Sequence, residues 1–268
     1  MNKCSLIIST YNWPEALELC LESVKNQLVK PFEVVIADDG STHQTKLLIE
    51  KYQGEGLLNI VHIWQPDNGF QLARIRNKAI AASTGEYIIQ IDGDVILHPH
   101  FIEDHLNAAK ANCFIQGSRV MLGKKISAKL LRKKSTEINL LSTDIKRKEN
   151  GIRILWLSRS LQKKYRNRYP LYWARGANMS FWKKDLLLVN GYNENFTGWG
   201  DEDSELTLRL LNSGKTKLYL KFAGIIYHIY HNEDASKVKS SKNRSLLELA
   251  YSNKIVTTDN GLDKYLQK

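Results

Sequence analysis

The chain has 268 residues, of which 43% are hydrophobic and 25% charged, with a net charge of +11. That composition excludes a collagenous, disordered or membrane-spanning chain and leaves room for one large α/β domain with a modest extension. No apolar run approaches the roughly 20 residues that a bilayer-crossing helix needs.

Apolar β-branched runs alternate with helix-period segments through the first half, the pattern of βαβ units building a mostly parallel sheet. Ser5 to Thr10 reads as a strand and Pro14 to Leu28 as a helix opened by proline. Phe32 to Ala37 is a strand ending at Asp38-Asp39-Gly40-Ser41, and His43 to Tyr52 a helix. Asn59 to Trp64 is a strand, Leu72 to Ala82 a helix, and Glu86 to Ile91 a strand ending at Asp92-Gly93-Asp94. Pro99 to Ala111 reads as helical and Phe114 to Met121 as one strand. After a basic stretch the pattern resumes with a strand at Met179 to Trp182, a short helix from Lys183 to Val189 and a glycine- and aromatic-rich loop from Gly191 to Gly200. A helix from Asp201 to Asn212 starts with acids and has Gly214 just past its end, as dipole and capping arguments favour. Lys217 to Tyr227 alternates as a strand.

The positive charge is concentrated. Between Arg119 and Pro170 sixteen Lys and Arg face only Glu137, Asp144 and Glu149, so this segment exceeds the net charge of the whole chain. Such a segment reads as a basic helical insertion, about residues 123–170, that meets an anionic membrane surface or an anionic acceptor; the alternative is a solvated insertion without a partner. Cys4, Cys20 and Cys113 are scattered and odd in number, which suits reduced thiols. The apolar run after Lys3 stops at Asn12 and Pro14, too short for a signal-peptide core. The expected location is cytoplasmic, with possible attachment to the inner face of the membrane through the basic segment.

In open α/β sheets ligands bind beyond the carboxyl ends of the strands. Asp38-Asp39 and Asp92-Gly93-Asp94 both fall at such ends and should face one crevice. Hard carboxylate oxygens there can hold Mg²⁺ or Mn²⁺ against a diphosphate, although a strand-ending turn explains the same residues equally well in isolation.

Five motifs in order are more specific than any one of them. Ser9-Thr10-Tyr11-Asn12, Asp38-Asp39-Gly40-Ser41, Ala73-Arg74-Ile75-Arg76-Asn77, Asp92-Gly93-Asp94 and Gly198-Trp199-Gly200-Asp201-Glu202-Asp203 together resemble a family 2 glycosyltransferase of GT-A fold. The last motif also resembles the galactosyltransferase-type segment of bacterial chondroitin polymerases. The resemblance spans residues 3 to 231, leaving 232–268 as a C-terminal helical extension.

The resemblance implies an inverting, metal-dependent transfer of a hexose or N-acetylhexosamine from a nucleotide sugar, UDP-linked, to a glycan or lipid-linked glycan in bacterial surface polysaccharide or lipopolysaccharide synthesis. It places Thr10, Tyr11 and Asp39 at the nucleoside, with Asp39 accepting from the uracil imide, and Asp92 at the ribose. Arg76 is expected at the diphosphate, with Arg74 as the alternative because the usual Ala-Arg-Asn is here Arg74-Ile75-Arg76-Asn77. Asp94 and His228 are the implied ligands of Mn²⁺ or Mg²⁺, with His231 second in line. Asp203 is the implied base, Glu202 and Trp199 contact donor sugar or acceptor, and Arg175 with Asn178 forms part of the donor-sugar pocket. A metal-dependent nucleotidyltransferase lacks its glycine-rich phosphate loop here. A nucleic-acid binder leaves the acidic crevice unexplained, so nucleic acid is not an expected partner, and against a sugar-binding module without activity stands the presence of every expected polar group.

Overall fold

The computed structural model describes residues 3–165, 169–232 and 240–266. In chain order the elements are β1 (Cys4–Thr10), α1 (Pro14–Lys25), β2 (Glu33–Asp38), α2 (His43–Glu55), β3 (Ile60–Trp64), α3 (Leu72–Ala82), β4 (Tyr87–Asp92), β5 (Val95–Leu97), α4 (Phe101–Ala108), β6 (Cys113–Gly117) and β7 (Arg119–Leu122). There follow α5 (Lys124–Lys133), β8 (Ile145–Lys146), α6 (Leu155–Leu161), β9 (Asn178–Trp182), α7 (Lys183–Leu188), α8 (Glu202–Asn212), β10 (Thr216–Leu220), β11 (Ile226–His228) and α9 (Ser241–Ser252).

The main sheet has the order β10-β6-β9-β4-β1-β2-β3 and is parallel except for β9, which runs against both β4 and β6. Every residue of β1 and β2 is buried, so these strands read as continuous apolar runs because helices cover both faces. One core packs α1 and α2 against one face, through Leu17, Leu21 and Ile49. A second packs α3, α7 and α8 against the other, through Ile75, Leu186 and Leu206.

Two expected strands are each divided. Phe114 to Met121 is broken at Ser118 into β6 and β7, and Lys217 to Tyr227 is broken into β10 and β11. At the second break Phe222 and Gly224 take left-handed φ values of 61° and 56°, which ends the ladder and sends β11 into another sheet. That small sheet has the order β5-β11-β7-β8. Its register sets His228 opposite Val95, directly after Asp94.

Asn178 holds the two sheets together. Its Nδ2 donates to the carbonyls of Ser118 and Gly224, both at 2.9 Å, and its Oδ1 lies 3.0 Å from His105 Nε2. His105 is fully buried, and burial pushes its imidazole down to about 4, so the neutral ring donates from Nε2 and accepts from Ser180 Oγ at 2.8 Å. The amide of Asn178 is therefore engaged in the fold, where it braces the strand breaks that shape the site. A side chain at Gly117 would collide with that amide.

The basic segment is partly helical, as expected. On α5 Leu130 faces inward while Lys124, Lys125, Lys129, Arg132 and Lys133 are exposed. Arg166 and Arg168 of this segment lie outside the described residues. The C-terminal α9 packs Leu247 and Ala250 against Leu208 and Phe196, and among the described residues it is continuous with the core rather than a separate body.

Candidate active site

β1 lies between β2 and β4, and the registers pair Thr10 with Asp38 and Ser9 with Asp92. Strand order therefore brings all the acidic strand ends to one edge. Asp38 itself turns inward, accepting from the Ser41 amide at 2.8 Å and facing His62 Nε2 at 3.0 Å. It closes the turn. Asp39 accepts from Gln65 Nε2 at 2.6 Å and from the Gln71 amide at 2.9 Å, and burial raises its pKa. Two of its roughly four acceptor positions remain. The exposed Tyr11 reaches across to donate to Asp67 Oδ2 at 2.9 Å. Gly40 has φ +95°, and a Cβ there would stand 2.5 Å from the Asp67 backbone, so glycine permits both the turn and the close approach. Thr10, Tyr11 and Asp39 form a shelf suited to a planar base with an N–H donor.

Arg76 is 1% exposed and sits at the centre. Its Nη1 meets Asp203 Oδ1 at 2.8 Å, its Nη2 meets Asp92 Oδ1 at 3.0 Å, and its Nε donates to Ser9 Oγ at 3.2 Å. The guanidinium also stacks over Tyr192, 5.3 Å from the ring centre. Three of its five N–H donors are held by protein groups, so Arg76 acts as a counter-ion between Asp92 and Asp203. Arg74 points elsewhere, donating to Gln71 Oε1 at 3.2 Å on the surface. Asp92 keeps 36% of its side-chain surface accessible, although the surrounding protein and Asp94 raise its pKa.

Asp203 is oriented by three donors. Oδ1 accepts from Arg76 and from Tyr192 Oη at 3.2 Å, whereas Oδ2 accepts only the Gly176 amide at 2.6 Å. A lone pair of Oδ2 remains. Glu202 is its opposite: buried, with Oε2 making no hydrogen bond and Arg76 no closer than 3.9 Å. Burial first and the charge of Asp203 second push its carboxyl up to about 8, which favours the protonated form. The loop before them bends at Gly198 (φ 74°) and Gly200 (φ 104°), leaving Trp199 38% exposed at the rim.

The third cluster is Asp94, His228 and His231, each offering one ligand atom within 4.8 Å of the others. His228 Nε2 and His231 Nε2 both lie 3.4 Å from Asp94 Oδ2. Asp94 Oδ1 and His228 Nδ1 are buried without hydrogen-bond partners. Burial drives the Asp94 carboxyl up, and the two imidazoles more than reverse this, so the net shift is down. Burial also outweighs Asp94 at His228 and lowers its pKa, which keeps the ring neutral. His231 Nδ1 lies 3.0 Å from the Asn232 carbonyl, which selects the tautomer with a lone pair on Nε2. One carboxylate and two imidazoles fit a divalent metal such as Mn²⁺. His231 belongs to the cluster equally with His228.

Sequence reasoning missed several groups here. Tyr192, Gln65 and Gly176 carry the hydrogen bonds that aim Asp203 and Asp39, and only their loop positions beside motifs could have marked them. Arg119 begins β7 immediately after the break at Ser118, close enough to act electrostatically on Asp92 and Asp94. Arg175 does not join this cluster; it covers Trp173 at 4.6 Å in an adjoining pocket.

A mostly parallel sheet with acidic strand ends at one edge, beside a carboxylate-imidazole cluster, defines a GT-A glycosyltransferase fold. Residues 5–168 match the family model for glycosyl transferase family 2, and the chain belongs to that family. Residues 157–232 match a second model, the N-terminal domain of galactosyltransferase. The chain is 28% identical to a chondroitin synthase of Escherichia coli over 223 residues, covering 78% of this chain and 32% of that protein. It is 26% identical to a hyaluronan synthase of Pasteurella multocida over 246 residues, covering 87% of this chain and 25% of that protein. The chain thus spans a third or less of these curated relatives. Among solved structures, GalNAc-T7 with UDP, GalNAc and Mn²⁺ superposes with a TM-score of 0.67 at 15% identity, covering 93% of this chain and 48% of that one.

Gly176 tests whether the cluster must be this tight. A methyl added there would lie 2.5 Å from both Arg76 Nη2 and Asp203 Oδ1. Displacing Asp203 by about 1 Å should cost about a hundredfold in turnover. Gly176→Ala is expected to retain the far-UV circular dichroism of the parent while losing that activity; a loss under threefold would show that Asp203 needs no such placement.

Proposed function

We propose that this chain transfers a hexose or N-acetylhexosamine from a UDP-sugar to a hydroxyl of a glycan or lipid-linked glycan, with inversion, in bacterial surface polysaccharide or lipopolysaccharide synthesis. The observation that carries this reading is the convergence of Asp39, Asp94 with its two histidines, and Asp203 on one sheet edge. That order matches a nucleotide sugar laid from base to anomeric carbon. The likeness to chondroitin and hyaluronan synthases supports the polysaccharide setting.

Asp39 accepts the uracil imide proton and Tyr11 borders the base. Asp94, His228 and His231 hold Mn²⁺ or Mg²⁺, which when bound offsets the diphosphate charge and favours its departure as a Lewis acid. Asp203 Oδ2 takes the proton of the acceptor hydroxyl as that oxygen bonds to the anomeric carbon and the bond to the diphosphate breaks. Neutral Glu202 donates to a sugar hydroxyl, and Trp199 offers its face to a pyranose ring. A screen of UDP-, GDP- and dTDP-sugars by calorimetry with Mn²⁺ tests the donor; absence of binding by any of them removes the reading.

Mn²⁺ binding, followed by the loss of its free electron paramagnetic resonance signal, should be abolished in Asp94→Ala and weakened at least tenfold in His231→Ala. Excess chelator should stop turnover. Full activity under chelation would refute metal dependence.

The acid pair predicts a division of labour. Asp203→Asn should lower kcat by about a hundredfold or more with UDP affinity nearly unchanged. Because the protonated form of Glu202 is the donor, and its pKa is raised to about 8, kcat/KM should fall as pH rises through that value. Glu202→Gln keeps the donor and should flatten the alkaline limb. An active Asp203→Asn beside an inactive Glu202→Gln would reverse the two roles.

The exposed cationic face of α5 supports peripheral contact with an anionic membrane, each Lys or Arg contributing about 1 kcal/mol near such a surface. Binding to phosphatidylglycerol vesicles should fall steeply between low and physiological salt. Equal binding to neutral vesicles would leave α5 as a solvated helix.

A further inference from the structure

Beside the site lies a second concavity of about 410 Å³ that the reaction described above leaves unused. Its floor is the ends of β6 and β10, and its walls come from the basic insertion and from Tyr165, Tyr169, Trp173 and Arg175. Among the described residues Arg119, Arg147, Arg175 and Lys221 line it against a single acid, Glu149. We propose that this pocket is an acceptor subsite for an acidic saccharide, whose carboxylate or phosphate is held by Arg147 and Arg175 while its ring lies against Tyr169 and Trp173.

Several observations converge on that assignment. Tyr169 and Trp173 stack with centroids 4.3 Å apart and planes inclined by 15°, and Arg175 covers Trp173 at 4.6 Å. An aromatic pair capped by guanidinium suits a pyranose bearing an oxyanion, since the ring surface left outside the stack offers apolar contact to sugar C–H groups and the planar cation takes a carboxylate or phosphate in two-point fashion. The volume is that of a small-molecule site. Arg175 is pushed down to about 10, by burial first and then by the charges of Arg119 and Arg147. Three guanidiniums directed at one half-enclosed space repel one another, and an anion between them relieves that repulsion.

The pocket is also placed for chemistry. Gly176, the residue after Arg175, donates its amide to Asp203 Oδ2 at 2.6 Å, so the subsite is one residue from the proposed base. The uracil shelf belongs to β1 and β2, whereas the pocket belongs to β6 and β10 at the other side of the sheet, which leaves it for the acceptor. This assignment rests on the sugar-transfer reading, and its test is run without turnover.

The probes are a glucuronate-terminated disaccharide, its neutral glucose-terminated counterpart, glucose 6-phosphate, inorganic phosphate and the pair UDP-glucuronate and UDP-glucose, each titrated by calorimetry. The acidic disaccharide or the sugar phosphate should bind at least tenfold more tightly than the neutral disaccharide, the tighter of the two naming the oxyanion. Arg147→Ala and Arg175→Gln should each reduce that preference at least threefold, and leave UDP affinity in Mn²⁺ unchanged. Equal binding of neutral and acidic saccharides overturns the proposal, as does phosphate competing as well as the sugar does. Were only the UDP-glucuronate over UDP-glucose preference to depend on these arginines, the anion would belong to the donor and the acceptor assignment would fall. Loss of UDP binding in the unmodified protein would sink the transferase reading instead and leave the saccharide comparison intact.

Discussion

The buried guanidinium of Arg76 makes the rest of the site possible. It lies on α3, reaches past Ser9 at the end of β1, and neutralises Asp92 at the end of β4 and Asp203 in the first turn of α8. Those acids belong to segments more than a hundred residues apart, and without a cation between them their charges would force the strand end and the helix start away from each other. Removing one partner of such a buried pair costs about 3–5 kcal/mol, because the charges left behind have no compensation. The electrostatic demand also explains why Tyr192, whose single hydroxyl proton is shared between Gln90 Oε1 and Asp203 Oδ1, is packed under the guanidinium. Arg76 gives rigidity: a cation this enclosed organises the carboxylates around it.

The same centre separates Glu202 from Asp203, adjacent residues with opposite electrostatics. Asp203 receives Arg76, an amide and a phenol, while Glu202 lies 3.9 Å from the guanidinium with one oxygen bonded to nothing. Two carboxylates so close do not ionise together readily, and the one without donors keeps its proton. One dipeptide at the start of one helix thus presents a carboxylate braced by donors beside a carboxyl whose pKa burial raises.

Much of this was legible in the sequence where local rules act alone. The helix from Leu72 to Ala82 has the bounds that its apolar period implies, and the strands ending at Asp38 and Asp92 follow from runs too apolar for any place but a covered sheet. What depends on distant partners was not legible. The breaks at Ser118 and at Phe222 to Gly224 exist because Asn178, on a strand between them in sequence, binds both turns. Asparagine in that motif reads as a ligand-binding group, and only the positions of His105, Ser118 and Gly224 show what its amide binds in the fold. His231 and His228 share a cluster because β11 ends there and the chain turns back, a fact about a three-residue strand that periodicity cannot resolve. Arg76 offered no local sign of burial, since arginine on an amphipathic helix usually faces solvent.

The basic insertion shows how charge is divided once the chain is folded. Its helix α5 turns lysines outward, whereas Arg147, exposed on the same insertion, lines the rim of a cavity it shares with Arg119 and Arg175. Uniform solvation would separate these cations, because each gains hydration and loses repulsion by doing so. Holding three guanidiniums around one space therefore requires the fold to work against their charge, and the stacked rings of Tyr169 and Trp173 supply a rigid, weakly polar wall on which Arg175 is fixed. The acidic centre organised by Arg76 and the basic pocket beside it are joined at Arg175 and Gly176, where one residue faces the cations and the next binds Asp203. The field consequently reverses within two residues of backbone, which orients any saccharide carrying both a hydroxyl to be deprotonated and a negative charge to be anchored.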